Sequence, residues 1–266
     1  MADGAFNQMA ADYDDVFTNS LIGKLQRTIV WEYLYEQFDF GPDFKVLELN
    51  CGTAEDACMF AQKGSKVTAT DISSEMLSKS NAKAEQLGVS GLIEFQQLNI
   101  DQVSNFQSNY KYDLVFSNFG GLNCVSEQSL AALREKLTNL LTPQGRFVAV
   151  VMPSKCMMET LYFLSRFNWK SAFRRGEKKV DWKNDQGDLS SIYYYSPKVF
   201  EALFEASFST EGLIPVGFFV PPSYTETFFK RHQRILGMLE KMDCQFKSPT
   251  FSGLSDHFLI DLKIKN

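Results

Sequence analysis

Lys45-Val46-Leu47-Glu48-Leu49-Asn50-Cys51-Gly52-Thr53-Ala54-Glu55-Asp56 decides the fold. The first five residues, KVLEL, form a short run of strand type, and Asn50 to Thr53 break it with residues that tolerate a tight turn. From Ala54 to about Lys63 the pattern becomes helical. A glycine directly after a strand lets the backbone turn sharply and lets a ligand approach the main chain. The helix that follows offers unpaired N–H groups to a carboxylate or phosphate. We therefore read the stretch as strand, ligand-binding turn, helix.

Upstream, Leu21, Ile22, Leu25, Ile29, Val30, Tyr33, Leu34 and Phe38 recur at helical spacing until Gly41-Pro42 ends the pattern. Downstream, Lys66 to Thr70 is a second strand closed by Asp71, and Ser74 to Leu87 is a helix stopped by Gly88. Further strands are expected at Ile93–Leu98, Tyr112–Ser117 and, after a Pro143-Gln144-Gly145 turn, Gly145–Met152, with a helix at Glu127–Leu141. Strands that alternate with helices predict an α/β, doubly wound parallel sheet. Beyond Pro153 the spacing predicts a helix at Lys155–Phe173, a solvated charged stretch RRGEKKVDWKNDQGD, and a strand at Ser190–Tyr195. A helix at Pro197–Ala206, a strand at Gly212–Val220, a helix at Tyr224–Met242 and a last strand at His257–Ile264 complete the reading.

Composition narrows the function classes. The chain has 266 residues, 44% apolar and 22% charged, enough for a sizeable core. Its net charge of −5 argues against a nucleic-acid partner. Apolar runs such as Phe147 to Met152 fall far short of the roughly 18 residues of a membrane span, and the N-terminus is acidic for a signal or transit peptide. A soluble, cytoplasmic protein with no membrane partner is expected. Five cysteines without a C-x-x-C pair and two histidines make no metal site, so the thiols are expected to be reduced and mostly buried.

Asp71 stands 19 positions after Gly52, at the end of the next strand, where an acidic side chain in such folds accepts both hydroxyls of a ribose. Together the turn and the carboxylate imply an adenosine-like ligand.

These residues resemble the class I S-adenosylmethionine-dependent methyltransferases, whose first motif runs acidic-x-Gly-x-Gly-x-Gly. Glu48 and Gly52 match it, while Asn50 and Ala54 replace the flanking glycines. The resemblance extends through TDISSEML (Thr70 to Leu77), QLNID (Gln97 to Asp101) and YDLVFSNFGGL (Tyr112 to Leu122), and covers roughly residues 12–152. It implies a Rossmann-like, doubly wound, mainly parallel seven-stranded sheet with an antiparallel last strand and inserted substrate-covering elements. The whole chain, 1–266, would be one domain. An N-terminal helical lid (1–40), a cofactor core (41–152), insertions (153–195 and 217–250) and a closing strand (255–265) would make it up.

The implied cofactor is S-adenosyl-L-methionine, with methyl transfer to a small acceptor, apolar or containing an aromatic ring. Glu48, Asn50, Gly52 and Thr53 would surround the methionine portion, Asp71 would hold the ribose, and Ile72 and Met76 would pack on the adenine. For the adenine amino group Asn99 ranks first, then Ile100 through its backbone N–H, then Asp101. Ser117 and Asn118 would face the crevice, Tyr13 would fold over the cofactor, and Arg27 could pair with its carboxylate. Tyr13, Asn118 and His257 are the candidates for a catalytic group, none of them decided.

Ser117-Asn118-Phe119-Gly120 is unlike the Asn/Asp-Pro-Pro-aromatic sequence of methyltransferases acting on amines of nucleic-acid bases or on glutamine, which favours a small-molecule acceptor. GFFVPPSYTETFF (Gly217 to Phe229) and Tyr162 to Phe173 are expected to form its pocket. Two alternatives stay open. One is a non-catalytic S-adenosylmethionine-binding or scaffold protein. The other is an NAD(P)-dependent oxidoreductase, which needs a closer Gly-x-Gly-x-x-Gly spacing that NCGTAEDA lacks. The oligomeric state and the attacking atom of the acceptor are left open.

Overall fold

The computed structural model describes residues 14, 18–183 and 189–265. The quoted stretch supplies β1 (Lys45–Leu49) and α2 (Glu55–Gln62), preceded by α1 (Leu21–Gln37). Next come β2 (Lys66–Asp71), α3 (Ser74–Gln86), β3 (Ile93–Gln97), β4 (Tyr112–Ser117), α4 (Glu127–Leu140) and β5 (Leu141–Val151). The C-terminal part holds α5 (Met157–Ser165), α6 (Trp169–Ala172), the hairpin β6 (Lys179–Lys183) and β7 (Leu189–Tyr193), and α7 (Pro197–Phe204). It continues with β8 (Phe208–Val216), α8 (Glu226–Phe229), α9 (Gln233–Gln245) and β9 (His257–Ile264).

Seven strands form one sheet in the order β3-β2-β1-β4-β5-β9-β8. The first five are parallel, and β9 runs antiparallel between β5 and β8. Because both faces are covered, the strands are apolar on both sides. Leu47, Leu49, Phe147, Ala149 and Val151 pack toward α4 and α7, while Val46, Val148 and Val150 pack toward α1 and α2. The strand order reverses between β1 and β4, which opens a crevice at their carboxyl ends.

Four sequence expectations change. The Pro143-Gln144-Gly145 turn lies inside β5 as a bulge, where the register jumps from Tyr112↔Leu141 to Leu114↔Arg146. Gly145 allows it: a Cβ there would stand 2.9 Å from both Thr142 N and Tyr112 O. The helix expected over 155–173 is split into α5 and α6, because Phe167 is left-handed (φ 56°) and Asn168 caps a new helix by accepting from Ser171 N. β8 begins at Phe208 rather than Gly212 and stops before Gly217, whose φ of 70° turns the chain away. The helix expected over 224–242 is divided into α8 and α9.

A buried carboxylate pins α1 to the sheet. Asp261 of β9 accepts the Tyr33 hydroxyl (2.9 Å) and Arg146 Nε (2.8 Å), with a second bond from the same guanidinium. Gly212 makes room for the ring, since a Cβ at that position would lie 2.0 Å from the Tyr33 hydroxyl. Burial raises the Asp261 carboxyl against the lowering effect of Arg146. Removing one member strands the others, so Asp261→Ala should lower the unfolding free energy by about 3 to 5 kcal/mol. Urea denaturation with an unchanged slope is the check, and a loss below ~1 kcal/mol would make the cluster incidental.

Candidate functional site

The turn between β1 and α2 alternates left-handed residues: Asn50 (φ 56°), Gly52 (φ 54°) and Ala54 (φ 59°). These are the three positions that glycine fills in the resembled motif. Only Gly52 adopts this conformation freely; asparagine tolerates it, and an alanine there costs about 1 to 2 kcal/mol. Hydrogen bonds hold the shape. Gly52 N donates to Asp71 Oδ2 (2.9 Å), Cys51 N to Thr70 O (2.9 Å), and Ser80 Oγ to Gly52 O (2.9 Å). Asp71 Oδ1 accepts from Ser73 N (2.9 Å), and Ser73 caps α3 by accepting from Met76 N. One buried carboxylate thus ties the turn after β1 to the turn after β2.

Beneath the turn lies a narrow cleft lined by Thr18, Arg27, Glu48, Asn50, Thr53 and Phe119 among others. Glu48 is 1% exposed and its Oε2 has no hydrogen-bond partner. Burial, reinforced by Asp56 and Asp71, pushes its carboxyl well above the usual range, with Arg27 pulling the other way. The fully buried Ser117 Oγ at the end of β4 also has no hydrogen-bond partner.

Asp56 is the hub of the cleft wall. It accepts from Trp31 Nε1 (2.7 Å), from Asn118 Nδ2 (3.0 Å) and from Arg27. The Arg27 guanidinium also lies 5.0 Å from the centre of the Phe119 ring. Its charge, expected to meet a ligand carboxylate, is thus engaged by Asp56. The sequence reading missed Asp56 because nothing marks it apart from an ordinary acidic residue in a first helical turn.

Other predicted residues fall around this centre. Met76 is buried, and the Ile72 carbonyl accepts from Gln97 Nε2 (2.8 Å) across the ends of β2 and β3. Asn99 caps the short helix Ile100–Asn105 by accepting from Asp101 N (3.0 Å), with Ile100 buried and Asp101 exposed. Tyr13 lies outside the described residues. Its neighbour Asp14 meets Thr53 and sits 3.0 Å from Lys83 Nζ, which also reaches Glu55 (3.2 Å). Despite burial, the bonds from Thr53 and Lys83 hold the Asp14 carboxyl below its usual range. Asp14 is thereby fastened beside the motif turn.

His257 is half-buried, with Nδ1 3.5 Å from Asp256 Oδ2 but without a hydrogen-bond partner. Its ring meets Phe119 edge-on, at 5.5 Å and 82°. Asp256 belongs to a buried network: Arg175 donates to it (2.6 Å) and to Glu159 (2.8 Å), and Gln26 donates to it from α1 (3.0 Å). Arg175 was expected in a solvated charge run, yet it is 6% exposed. Its partners stand 16 and 81 positions away, so the local sequence carries no signal of it.

The two segments expected to form the acceptor pocket differ in burial. Phe167 (84% exposed), Trp169 (64%) and Phe173 (60%) are exposed. Phe218 packs on Phe246 and Phe251, and the backbone N–H groups of Phe218, Phe219 and Val220 all donate to Asp243. Burial pushes the Asp243 carboxyl up to about 6 against those three donors. Phe218 and Phe219 thus pack within this region, while Val220 and Phe229 join a cluster with Ile22 of α1.

Residues 46–145 match the family model described as "Methyltransferase domain". This segment is a methyltransferase domain. An 85-residue stretch is 38% identical to a protein of Geobacillus sp. (strain WCH70) named as a methyltransferase, covering 32% of each chain. The chain therefore spans about a third of the length of that relative. In fold, the chain resembles the DhpI–SAH complex (TM-score 0.62, 17% identity, covering 98% of this chain and 93% of the other). It also resembles an S-adenosylmethionine-dependent methyltransferase from Clostridium acetobutylicum (TM-score 0.61, 15% identity, covering 98% and 99%).

In the methyltransferase domain, Asn50 is matched by a glycine on the facing loop: a Cβ on Gly121 would stand 2.5 Å from Asn50 Cβ. Gly121→Ala should therefore cost about 1 to 3 kcal/mol, and adding Asn50→Gly should recover most of it. A double-mutant cycle in urea measures the coupling. Strict additivity of the two changes would show that the residues do not share this space.

Proposed function

We propose that the protein is an S-adenosylmethionine-dependent methyltransferase acting on a small acceptor, apolar or containing an aromatic ring. The observation that carries the reading is the buried Glu48 carboxyl, whose Oε2 has no hydrogen-bond partner beside a left-handed turn. A buried carboxylate oxygen without a partner is costly. An ammonium group, such as that of the methionine portion, would satisfy it. Asp71, aligned by Gly52 N and Ser73 N at the end of β2, would accept from the ribose hydroxyls. Ile72 and Met76 would flank the adenine, Asn99 to Asp101 would border it, and Thr53, Ser117 and Asn118 would close the wall.

When bound, the cofactor supplies a methyl group on a sulfonium, whose departure as a neutral thioether needs no acid. The protein's part is alignment, which for well-oriented partners can be worth roughly 7 to 11 kcal/mol. Arg27 and Asp56 act by positioning, since they fix Asn118 and Phe119. The acceptor would reach the crevice past Phe119 and His257. A scaffold that merely binds the cofactor is the competing reading; it predicts cofactor binding without turnover on any small acceptor.

Titration calorimetry with S-adenosylmethionine tests the binding mode. Asp71→Asn should weaken affinity by about 1.5 to 3 kcal/mol, the scale of hydrogen bonds to a charged group. Wild-type affinity in that variant would remove the ribose assignment. Because the Glu48 carboxyl is raised above its ordinary 4.5, binding an ammonium there should release a proton. Affinity should accordingly rise with pH as Glu48 ionises, then fall near pH ~8 as the ligand ammonium loses its own proton. Glu48→Gln should abolish the rising limb; an unchanged limb would refute the pairing.

For the chemistry, His257→Gln should keep more than about a tenth of the wild-type rate, because a general base typically contributes 10² to 10⁴-fold. A hundredfold loss in the folded variant would make His257 the base.

A further inference from the structure

Among the described residues, ten large apolar side chains are exposed, and seven of them lie on two insertions. Leu161, Phe167, Trp169 and Phe173 lie on or beside α5 and α6; Ile235, Met238 and Met242 form a stripe along α9. The insertions follow β5 and β8, which run parallel to one another because each is antiparallel to β9. Both therefore leave the sheet at its carboxyl edge, the edge that carries the crevice.

Charge distinguishes this face from the rest of the chain. Between residues 166 and 179 there are six basic residues and one acidic, in a protein of net charge −5. Arg166, Lys170, Arg174 and Lys178 are exposed there, as are Arg231 just before α9 and Arg234 and Lys241 on it. The left-handed backbone of Phe167 projects a side chain that is 84% exposed, and Asn168 then starts α6 so that Trp169 and Phe173 stand one turn apart. Below them the segment is anchored. Arg175 and Arg174 both bind the buried Glu159, and Arg175 reaches Asp256.

We propose that this face docks on an anionic phospholipid surface. Aromatic side chains favour the boundary between headgroups and acyl chains, and lysines and arginines around them keep their heads in the polar layer. The negative potential of such a surface attracts basic segments and repels the acidic remainder, which orients the molecule with its crevice edge toward the lipid. A protein partner is less favoured, because these side chains protrude singly from short helices and a turn rather than walling a groove. The proposal revises the expectation of no membrane partner, which rested on the lack of a spanning run. No described helix is long and apolar enough to cross a membrane, and a surface contact needs none.

Sedimentation of the full chain with vesicles tests the proposal. Vesicles of phosphatidylcholine with one third phosphatidylglycerol should bind the protein at low salt, while pure phosphatidylcholine should bind it at least about tenfold less. Phe167→Ser/Trp169→Ser/Phe173→Ser and, separately, Arg166→Glu/Lys170→Glu should each weaken vesicle binding about tenfold or more. Circular dichroism and S-adenosylmethionine affinity of both variants should match wild type, which shows that they are folded. Absence of vesicle binding by the wild-type protein would overturn the proposal, as would undiminished binding by both folded variants. Concentration-dependent self-association that the aromatic variant abolishes, without vesicle binding, would assign the face to a second copy of the chain instead.

Discussion

The contact on which the rest depends is the hydrogen bond from Gly52 N to the Asp71 carboxylate. It joins the ends of two adjacent parallel strands whose register, Leu49↔Thr70, brings the turns side by side. A parallel sheet delivers all its strand ends to one edge, so a side chain ending one strand can organise the backbone leaving the next. Asp71 is held by Ser73 on its other oxygen, and the left-handed path of Asn50, Gly52 and Ala54 runs above it. The cleft and the environment of Glu48 follow from that path.

Asn50 and Ala54 show how the turn survives without its flanking glycines. Asparagine is suited to positive φ, and its side chain lies over Gly121, so the space missing at one loop is made at the facing loop. Ala54 is buried at the start of α2, where its methyl group packs in the core that includes Ala57 and Phe60. That burial offsets part of the backbone strain. Asp56 completes the arrangement by holding Arg27, Trp31 and Asn118, residues of two elements distant in sequence.

How far the sequence could be read follows from the range of the interactions. β1 and β4 have the predicted ends, and β2 and β3 differ by one residue, because short stretches of β-type residues bounded by turn residues mark strands locally. The joint spacing of Gly52 and Asp71 after successive strands was legible for the same reason, whereas the hydrogen bond between them was not. Residues whose roles depend on distant partners were not. Arg175 looks like one more charge in a polar run until Glu159 and Asp256 enclose it, and Asp56 acquires its meaning only from Arg27, Trp31 and Asn118. The break at Phe167 was hidden by apolar spacing that continues through it, since a left-handed residue leaves no trace in periodicity.

Hydrogen exchange with and without S-adenosylhomocysteine tests the central claim most directly, because it reads the backbone of the turn itself. The account predicts slowed exchange in the peptides covering residues 48–56 and 71–76, with a weaker effect at 99–101 and none along the far edge strand β8. Unchanged exchange across 48–56 at a saturating ligand concentration, or protection confined to other elements, would contradict it.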